Sequence, residues 1–181
     1  MRLELTNFRC HLHKTYYFPE DQISLLKGEP GNGKTTVFNS IWWLLYGNLR
    51  GVGHHLSNSN RTTVTIQFER LPSLGEGITI QRQNHPNKFE LTIENTISNE
   101  KNVHHEGDIA QQLVNQVFGS RETWKAVSYI IQGEQCLLLS GSKQDRLKLL
   151  EELSFHQDNP KEAIEKIDQQ LKIERQKFQV M

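Results

Sequence analysis

The chain has 181 residues, enough for one domain with a substantial core. Lys plus Arg and Asp plus Glu number 21 each, so the formal net charge is zero and any nucleic-acid contact must come from a local patch, not bulk charge. The two cysteines, Cys10 and Cys136, are far apart and form no C-x-x-C, which argues against a zinc site or a disulfide framework. No apolar run approaches membrane-spanning length and residues 1–20 lack a signal-peptide core, so a soluble intracellular protein with no membrane association is expected.

Leu3 to Phe8 alternates apolar and polar residues and predicts a strand. Thr15 to Phe18 predicts a second, closed by a turn at Pro19-Glu20-Asp21. Ile23 to Leu26 is a short apolar run that predicts a buried third strand. Then Gly28-Glu29-Pro30-Gly31-Asn32-Gly33-Lys34-Thr35 spells G-x-x-x-x-G-K-T. A helical stretch, Thr36 to Tyr46, follows it. Val37, Phe38, Ile41, Trp42, Leu44, Leu45 and Tyr46 make it apolar around much of its circumference, and Gly47 ends it. Strand, glycine loop and helix in that order are the context of a phosphate-binding loop.

The chemistry follows from the residue types. A triphosphate presents clustered anionic oxygens, so the chain must wrap it with donors without blocking it. Gly28, Gly31 and Gly33 permit positive φ and close backbone approach. Amides from Gly28 through Thr36 can then form an anion nest at a helix N-terminus. Lys34 supplies a point charge to the terminal phosphates. The Thr35 hydroxyl suits Mg²⁺, which prefers hard oxygen ligands. ATP with Mg²⁺ is the expected ligand.

Residues 51–60 predict a loop. Three β-type runs follow, Thr62–Phe68, Ile78–Gln83 and Phe89–Ile93, parted by Pro72-Ser73-Leu74-Gly75 and Asn84-His85-Pro86-Asn87. They predict an antiparallel meander. Asp108 to Phe118 predicts an amphipathic helix with Ile109, Leu113, Val114 and Val117 on one face. Val127 to Ile131 predicts another buried strand. From Lys143 the pattern is helical, with Ser142 as N-cap and Asp145 at N3. Asn159-Pro160-Lys161-Glu162 opens a further helix. Its Ile164, Ile167, Leu171 and Phe178 fall on a heptad seam, with Glu174 in the fourth slot. Either a coiled coil or a surface amphipathic helix fits. The pattern is still running at Met181, which favours a truncated coiled coil.

Gln132 stands at the end of the predicted strand Val127–Ile131. In a phosphate-loop sheet the carboxyl ends of strands face the nucleotide, so a neutral amide there can bind Mg²⁺ or its water. The series Asn7-Phe8-Arg9, the phosphate loop, Leu44-Leu45-Tyr46-Gly47, Ile131-Gln132-Gly133-Glu134 and Arg146-Leu147-x-x-Leu150-Glu151-Glu152-Leu153 resembles the N-terminal half of SbcC-type DNA double-strand-break repair ATPases, relatives of the SMC and RecF ATPases. The resemblance covers nearly the whole chain. It implies an α/β P-loop NTPase fold, the N-terminal lobe of an ABC-type ATPase head over 1–155. An antiparallel β subdomain and the start of a coiled-coil arm at 156–181 complete it. By resemblance, Arg9, Gly28, Glu29, Pro30, Gly31, Asn32, Gly33, Lys34, Thr35 and Thr36 bind ATP, and Thr35 and Gln132 hold Mg²⁺. Lys34 and Gln132 carry the catalytic roles, and Arg50 matches an arginine linked to ATP and DNA. The implied partners are a C-terminal ATPase half, a second head, an SbcD-type nuclease and double-stranded DNA.

Some residues depart from that pattern. Pro30 stands where the family has asparagine, and proline has no N–H to donate. Asn32 can replace the lost side-chain contact. Binding survives this change, whereas fast hydrolysis is called into question. Leu139-Ser140-Gly141-Ser142 resembles an ABC signature, but its place just after Gln132 marks it as a helix cap. No apolar strand ends in Asp-Glu, and Leu91-Thr92-Ile93-Glu94 is the nearest. A C-terminal half would have to supply the missing carboxylates, so this chain alone should hydrolyse ATP poorly. His11-x-His13, His54-His55 and His104-His105 predict solvated loop histidines, and Trp42, Trp43 and Trp124 predict core residues rather than base-stacking platforms. Two rival functions are a small P-loop nucleoside or nucleotide kinase and a non-hydrolysing ATP-dependent assembly switch.

Overall fold

The first hairpin is formed by β1 (Arg2–Phe8) and β2 (His11–Tyr17), joined by the two-residue turn Arg9-Cys10. A computed structural model describes residues 1–20, 22–47, 61–71, 76–94, 102–129 and 137–154, the side chains of Leu137 and Glu152 excepted. Beyond the hairpin come α1 (Lys34–Tyr46), β3 (Thr62–Phe68), β4 (Gly77–Asn84), β5 (Lys88–Glu94) and β6 (Val103–Glu106). The helices α2 (Gly107–Phe118), α3 (Arg121–Val127), α4 (Leu137–Ser140) and α5 (Lys143–Ser154) follow. The chain divides into a unit spanning Met1–Val117 and a second beginning at Phe118.

The strands make a six-stranded sheet in the order β2-β1-β3-β4-β5-β6, every pair antiparallel. Register follows the period of two in the side chains, because a one-residue slip would turn each apolar set to solvent. Val64 faces Leu5 and Arg82, Ile66 faces Leu3 and Ile80, and Ile80 faces Leu91. All six of these aliphatic side chains are buried. Their partners in alternation (Glu4, Thr6, Thr63, Thr65 and Gln81) line a polar groove on the opposite face. Helix α1 packs on β1, β3 and β4 and buries Val37, Trp42, Trp43, Leu44 and Leu45. Burying an aliphatic side chain contributes roughly 1.5–3 kcal/mol, so this one layer of contacts holds much of the unit's stability.

One residue breaks the alternation in β1. Leu3 and Leu5 point to the core, so strict alternation would put Phe8 with Glu4 and Thr6. Asn7 instead adopts φ 51°, a left-handed conformation that asparagine tolerates. Phe8 is thereby fully buried, its ring 5.6 Å from that of Trp43. Asn7 is fixed at both ends. Its Nδ2 donates to Arg61 O at 3.0 Å, and Thr62 Oγ1 donates to Asn7 O at 3.0 Å.

The far end of α1 is anchored by Arg82 from the core side of β4. Its Nε donates to Leu44 O at 2.8 Å and its Nη2 to Gln111 Oε1 at 2.8 Å. The guanidinium lies 3.7 Å over the Phe89 ring. Cations complement the last carbonyls of a helix. Burial pushes the Arg82 pKa down to about 10, which leaves it charged at neutral pH. Gly47 then ends α1 at φ 72°, with its N–H donating to Trp43 O at 2.8 Å.

Several expectations are corrected. Ile23–Leu26 is not a strand, and Ile23 and Leu25 are exposed. No described strand pairs with this segment, and an apolar run without a ladder partner has nothing to bury against. The second strand starts at His11 rather than Thr15, because Cys10 closes a tight hairpin. Strand β6 went unanticipated, and His104 and His105 lie on it rather than in a loop. In α2, Val114 is buried as expected, but Ile109 is exposed and Ala110 is buried in its place.

In the second unit, residues 121–127 are helical where Val127–Ile131 was expected to begin a strand. Ser120 supplies the reason: its Oγ accepts from Thr123 N at 3.1 Å as an N-cap, with Glu122 in the first turn. Trp124 stacks on Tyr129 at 5.4 Å. The Ser142 cap of α5 forms as expected, its Oγ accepting from Asp145 N at 3.1 Å. The loop at 51–60, the Pro72–Gly75 turn and the heptad seam lie outside the described residues. Among the described residues, no helix is long and apolar enough to cross a membrane.

Candidate nucleotide site

The glycine loop leads directly into α1. Gly33 is the N-cap at φ 77°, ψ 20°, and no side chain caps the helix. No acidic residue occupies the first turn. The first helical bond is Val37 N to Gly33 O at 3.2 Å. The amides before it carry the partial positive end of the helix dipole with no side-chain acceptor assigned to them. Upstream, Asn32 N donates to Glu29 O at 3.3 Å, which folds Glu29-Pro30-Gly31-Asn32 into a turn. Gly31 sits at φ 88°.

The three glycines do different jobs. Gly31 and Gly33 need the left-handed region. Gly28 does not, contrary to expectation. A Cβ there would meet Asn32 Cβ at 3.7 Å, Asn32 Nδ2 at 3.8 Å and Lys34 Cδ at 3.9 Å, which is ordinary contact. A Cβ on Gly33 would overlap Cys10 Sγ and lie 2.8 Å from His11 Nε2.

That crowding places the β1–β2 turn against the helix start. His11 Nε2 donates to Gly33 O at 3.3 Å, and Cys10 Sγ lies 3.9 Å from Thr36 Oγ1. His11 is therefore not half of a metal pair with His13, which sits beside Thr6 Oγ1 at 3.4 Å. Cys10 and His11 belong to the site although neither carries a sequence signal for it. Arg9, beside them, has φ 52°. Its Nε is buried with no hydrogen-bond partner among the described residues. A buried guanidinium donor of this kind calls for an acceptor such as a phosphate oxygen.

Lys34 is folded back over the loop, its Nζ donating to Gly28 O and Glu29 O, both at 2.8 Å. The ammonium thus stands among carbonyl oxygens at the mouth of the loop, where terminal phosphate oxygens can replace them. Thr35 is exposed and Thr36 is buried. Pro30 and Asn32 are both exposed on the loop. Gln132 and Arg50 lie outside the described residues. The residues present fit a nucleoside triphosphate: a glycine loop opens a helix with no side-chain cap, the Lys34 ammonium lies over that loop, and the hairpin turn that carries Arg9 packs on Gly33.

Two viral proteins resemble this chain in sequence. Uncharacterized protein 050L of Invertebrate iridescent virus 6 is 27% identical over 157 residues, covering 86% of this chain and 12% of that protein. Uncharacterized protein 094L of Invertebrate iridescent virus 3 is 30% identical over 70 residues, 38% of this chain and 8% of that protein. The chain therefore spans about an eighth of the length of the first relative. The sequence matches the family described as AAA domain over residues 2–180, nearly end to end. With the phosphate loop built as described, the chain belongs to the AAA domain family of P-loop ATPases.

Proposed function

We propose that this chain is the ATP-binding N-terminal lobe of an SbcC-type DNA-repair ATPase head. The observation that carries the reading is the packing of the Arg9-Cys10 turn onto Gly33. It joins the antiparallel sheet to the phosphate loop through the turn that carries Arg9, whose Nε has no hydrogen-bond partner among the described residues. The amides from Gly31 to Thr36 hold the phosphates. Lys34 exchanges the Gly28 and Glu29 carbonyls for phosphate oxygens. Thr35 offers its hydroxyl to Mg²⁺, and Gln132 offers its amide from the far side. The metal neutralises charge on the phosphates.

The exposed Ile23 and Leu25, just before the loop, suit burial by strands from another segment. A C-terminal ATPase half, in cis or in trans, supplies those strands together with the Asp-Glu carboxylates and the signature. ATP then joins two heads. Double-stranded DNA lies across them near Arg50, and an SbcD-type nuclease docks at the base of the arm.

A fluorescent ATP analogue with Mg²⁺ tests the reading. The chain should bind it, Lys34→Met should weaken binding at least tenfold, and turnover should rise only when the C-terminal half is co-expressed. Binding unaffected by Lys34→Met would refute it. Pro30 favours a second reading, a slow or non-hydrolysing assembly switch, because the loop has one N–H fewer. Nucleotide-dependent pairing without turnover in the completed head would select it.

A further inference from the structure

We propose that Glu90, His104 and Glu106 form a binding site for a zinc-class divalent cation on the solvent face of β5 and β6, apart from the nucleotide loop. The register sets Glu90 directly opposite Glu106 and Thr92 opposite His104. Like charges facing each other across a sheet are destabilising unless a cation lies between them. Here the carboxylates converge on His104. Its Nε2 is 3.2 Å from Glu90 Oε1 and 3.1 Å from Glu106 Oε1. One ligand atom from each of the three residues lies within 4.8 Å of the others.

These spacings suit a metal. Zinc bonds to imidazole and carboxylate of about 2.0–2.2 Å put tetrahedral ligand atoms roughly 3.3–3.5 Å apart. The two imidazole–carboxylate spacings, 3.2 and 3.1 Å, lie within a few tenths of an ångström of that value. The imidazole is already oriented, because Thr92 Oγ1 lies 3.1 Å from His104 Nδ1. A hydroxyl beside Nδ1 orients the ring as the outer-shell partners of metal-binding histidines do, and Nε2, which donates to Glu106 Oε1 here, would give up its proton on binding zinc. One imidazole and two carboxylates match zinc and its first-row neighbours better than Mg²⁺ or Ca²⁺, which take oxygen alone. Water would complete the coordination.

Lys88 is the competitor. Its Nζ reaches Glu90 Oε1 at 2.5 Å and Glu106 Oε1 at 3.6 Å, so an ammonium compensates the same carboxylates. A bound ion would tie the edge strand β6 to β5 just before α2 starts at Gly107. The sequence could not disclose this site, because its ligands come from two strands and meet only through the register.

Zn²⁺ alone, titrated into the purified full chain against a chromogenic chelator, tests the proposal, with Co²⁺ absorption reporting an imidazole ligand. Wild type should bind saturably. His104→Ala and Glu90→Gln should each weaken binding at least tenfold, and the exposed-turn variant His85→Ala should leave it unchanged. Lys88→Met should tighten binding severalfold, because it removes the rival cation. His104 is exposed, so His104→Ala should keep the fold, which circular dichroism verifies. No saturable zinc binding, affinity undiminished in His104→Ala, or weaker binding in Lys88→Met would each overturn the proposal. None of these results depends on nucleotide.

Discussion

Replacing each loop glycine by alanine tests whether the phosphate loop is built as described, because the structure assigns the three positions different costs. Gly33→Ala carries two penalties. Its φ of 77° lies in the left-handed region, worth roughly 1–2 kcal/mol for alanine. Its new Cβ overlaps Cys10 Sγ and sits 2.8 Å from His11 Nε2, an overpacking worth about 1–3 kcal/mol. The sum is about 2–5 kcal/mol. Gly31→Ala pays only the backbone term, about 1–2 kcal/mol, because its φ is 88° and no atom lies within 4 Å. Gly28→Ala pays neither, with its nearest contact at 3.7 Å, and should fall within about 0.5 kcal/mol of wild type. Urea unfolding measures these differences through Trp42 and Trp43, both buried on α1, in a Trp124→Phe background. Cys10→Ala added to Gly33→Ala should recover part of the loss. Nucleotide binding should follow another order, with Gly28→Ala stable yet impaired, because its side chain would intrude where phosphates approach. Equal stability of Gly33→Ala and Gly28→Ala, or no relief from Cys10→Ala, would refute the packing of the hairpin turn on the loop.

Arg82→Met keeps an apolar stem but removes the donors to Leu44 O and Gln111 Oε1, so it should cost about 2–4 kcal/mol in urea unfolding. Burial lowers the folded-state pKa to about 10 from a higher ordinary value, so Arg82 is protonated in both states below pH 9. The penalty should therefore be the same at about pH 6 and pH 8. Lys34→Met removes two exposed carbonyl contacts and should change stability by less than about 1 kcal/mol while abolishing tight nucleotide binding, as read by equilibrium titration. Ser142→Ala removes the cap of α5 and should lower protection of the α5 amides in hydrogen exchange by about 1 kcal/mol.

The half-buried elements were legible and the context-dependent ones were not. Thr62–Phe68 and its neighbours alternate because one face meets α1 and the other meets solvent, and that asymmetry is written in the residues. Helix α1 announced both ends, with the loop glycine before it and Gly47 after it. By contrast, Ile23–Leu26 has the composition of a buried strand, but a strand is a relation to a neighbour and none is present among the described residues. Val127 belonged to a short capped helix, because Ser120 satisfies an amide that a β propensity cannot weigh. Strand β6, Val-His-His-Glu, has no apolar pattern of its own and gains its conformation from β5. Lys34 and the glycines were legible as a motif. That Cys10 and His11 brace the loop depended on a hairpin turn distant from it in sequence.

The bracing explains how a phosphate loop can be ordered with its preceding segment unpaired. In a P-loop fold the strand before the loop fixes one end and the helix fixes the other. Here residues 23–27 make no described ladder, so that end is not the anchor. Helix α1 is instead held at its C-terminal end by Arg82 and Gly47, and along its length by Trp43 and Leu44. Its N-terminus is held by the Cys10-His11 turn against Gly33. The β1–β3 ladder and the Asn7 bonds to Arg61 and Thr62 carry that turn. The path from Arg82 through α1 to Gly33 and back through β1 stays within Met1–Val117. Among the described residues, the glycine loop and Lys34 are thus positioned from within this unit. A segment pairing with residues 23–27 is then free to govern catalysis without first having to build the binding loop.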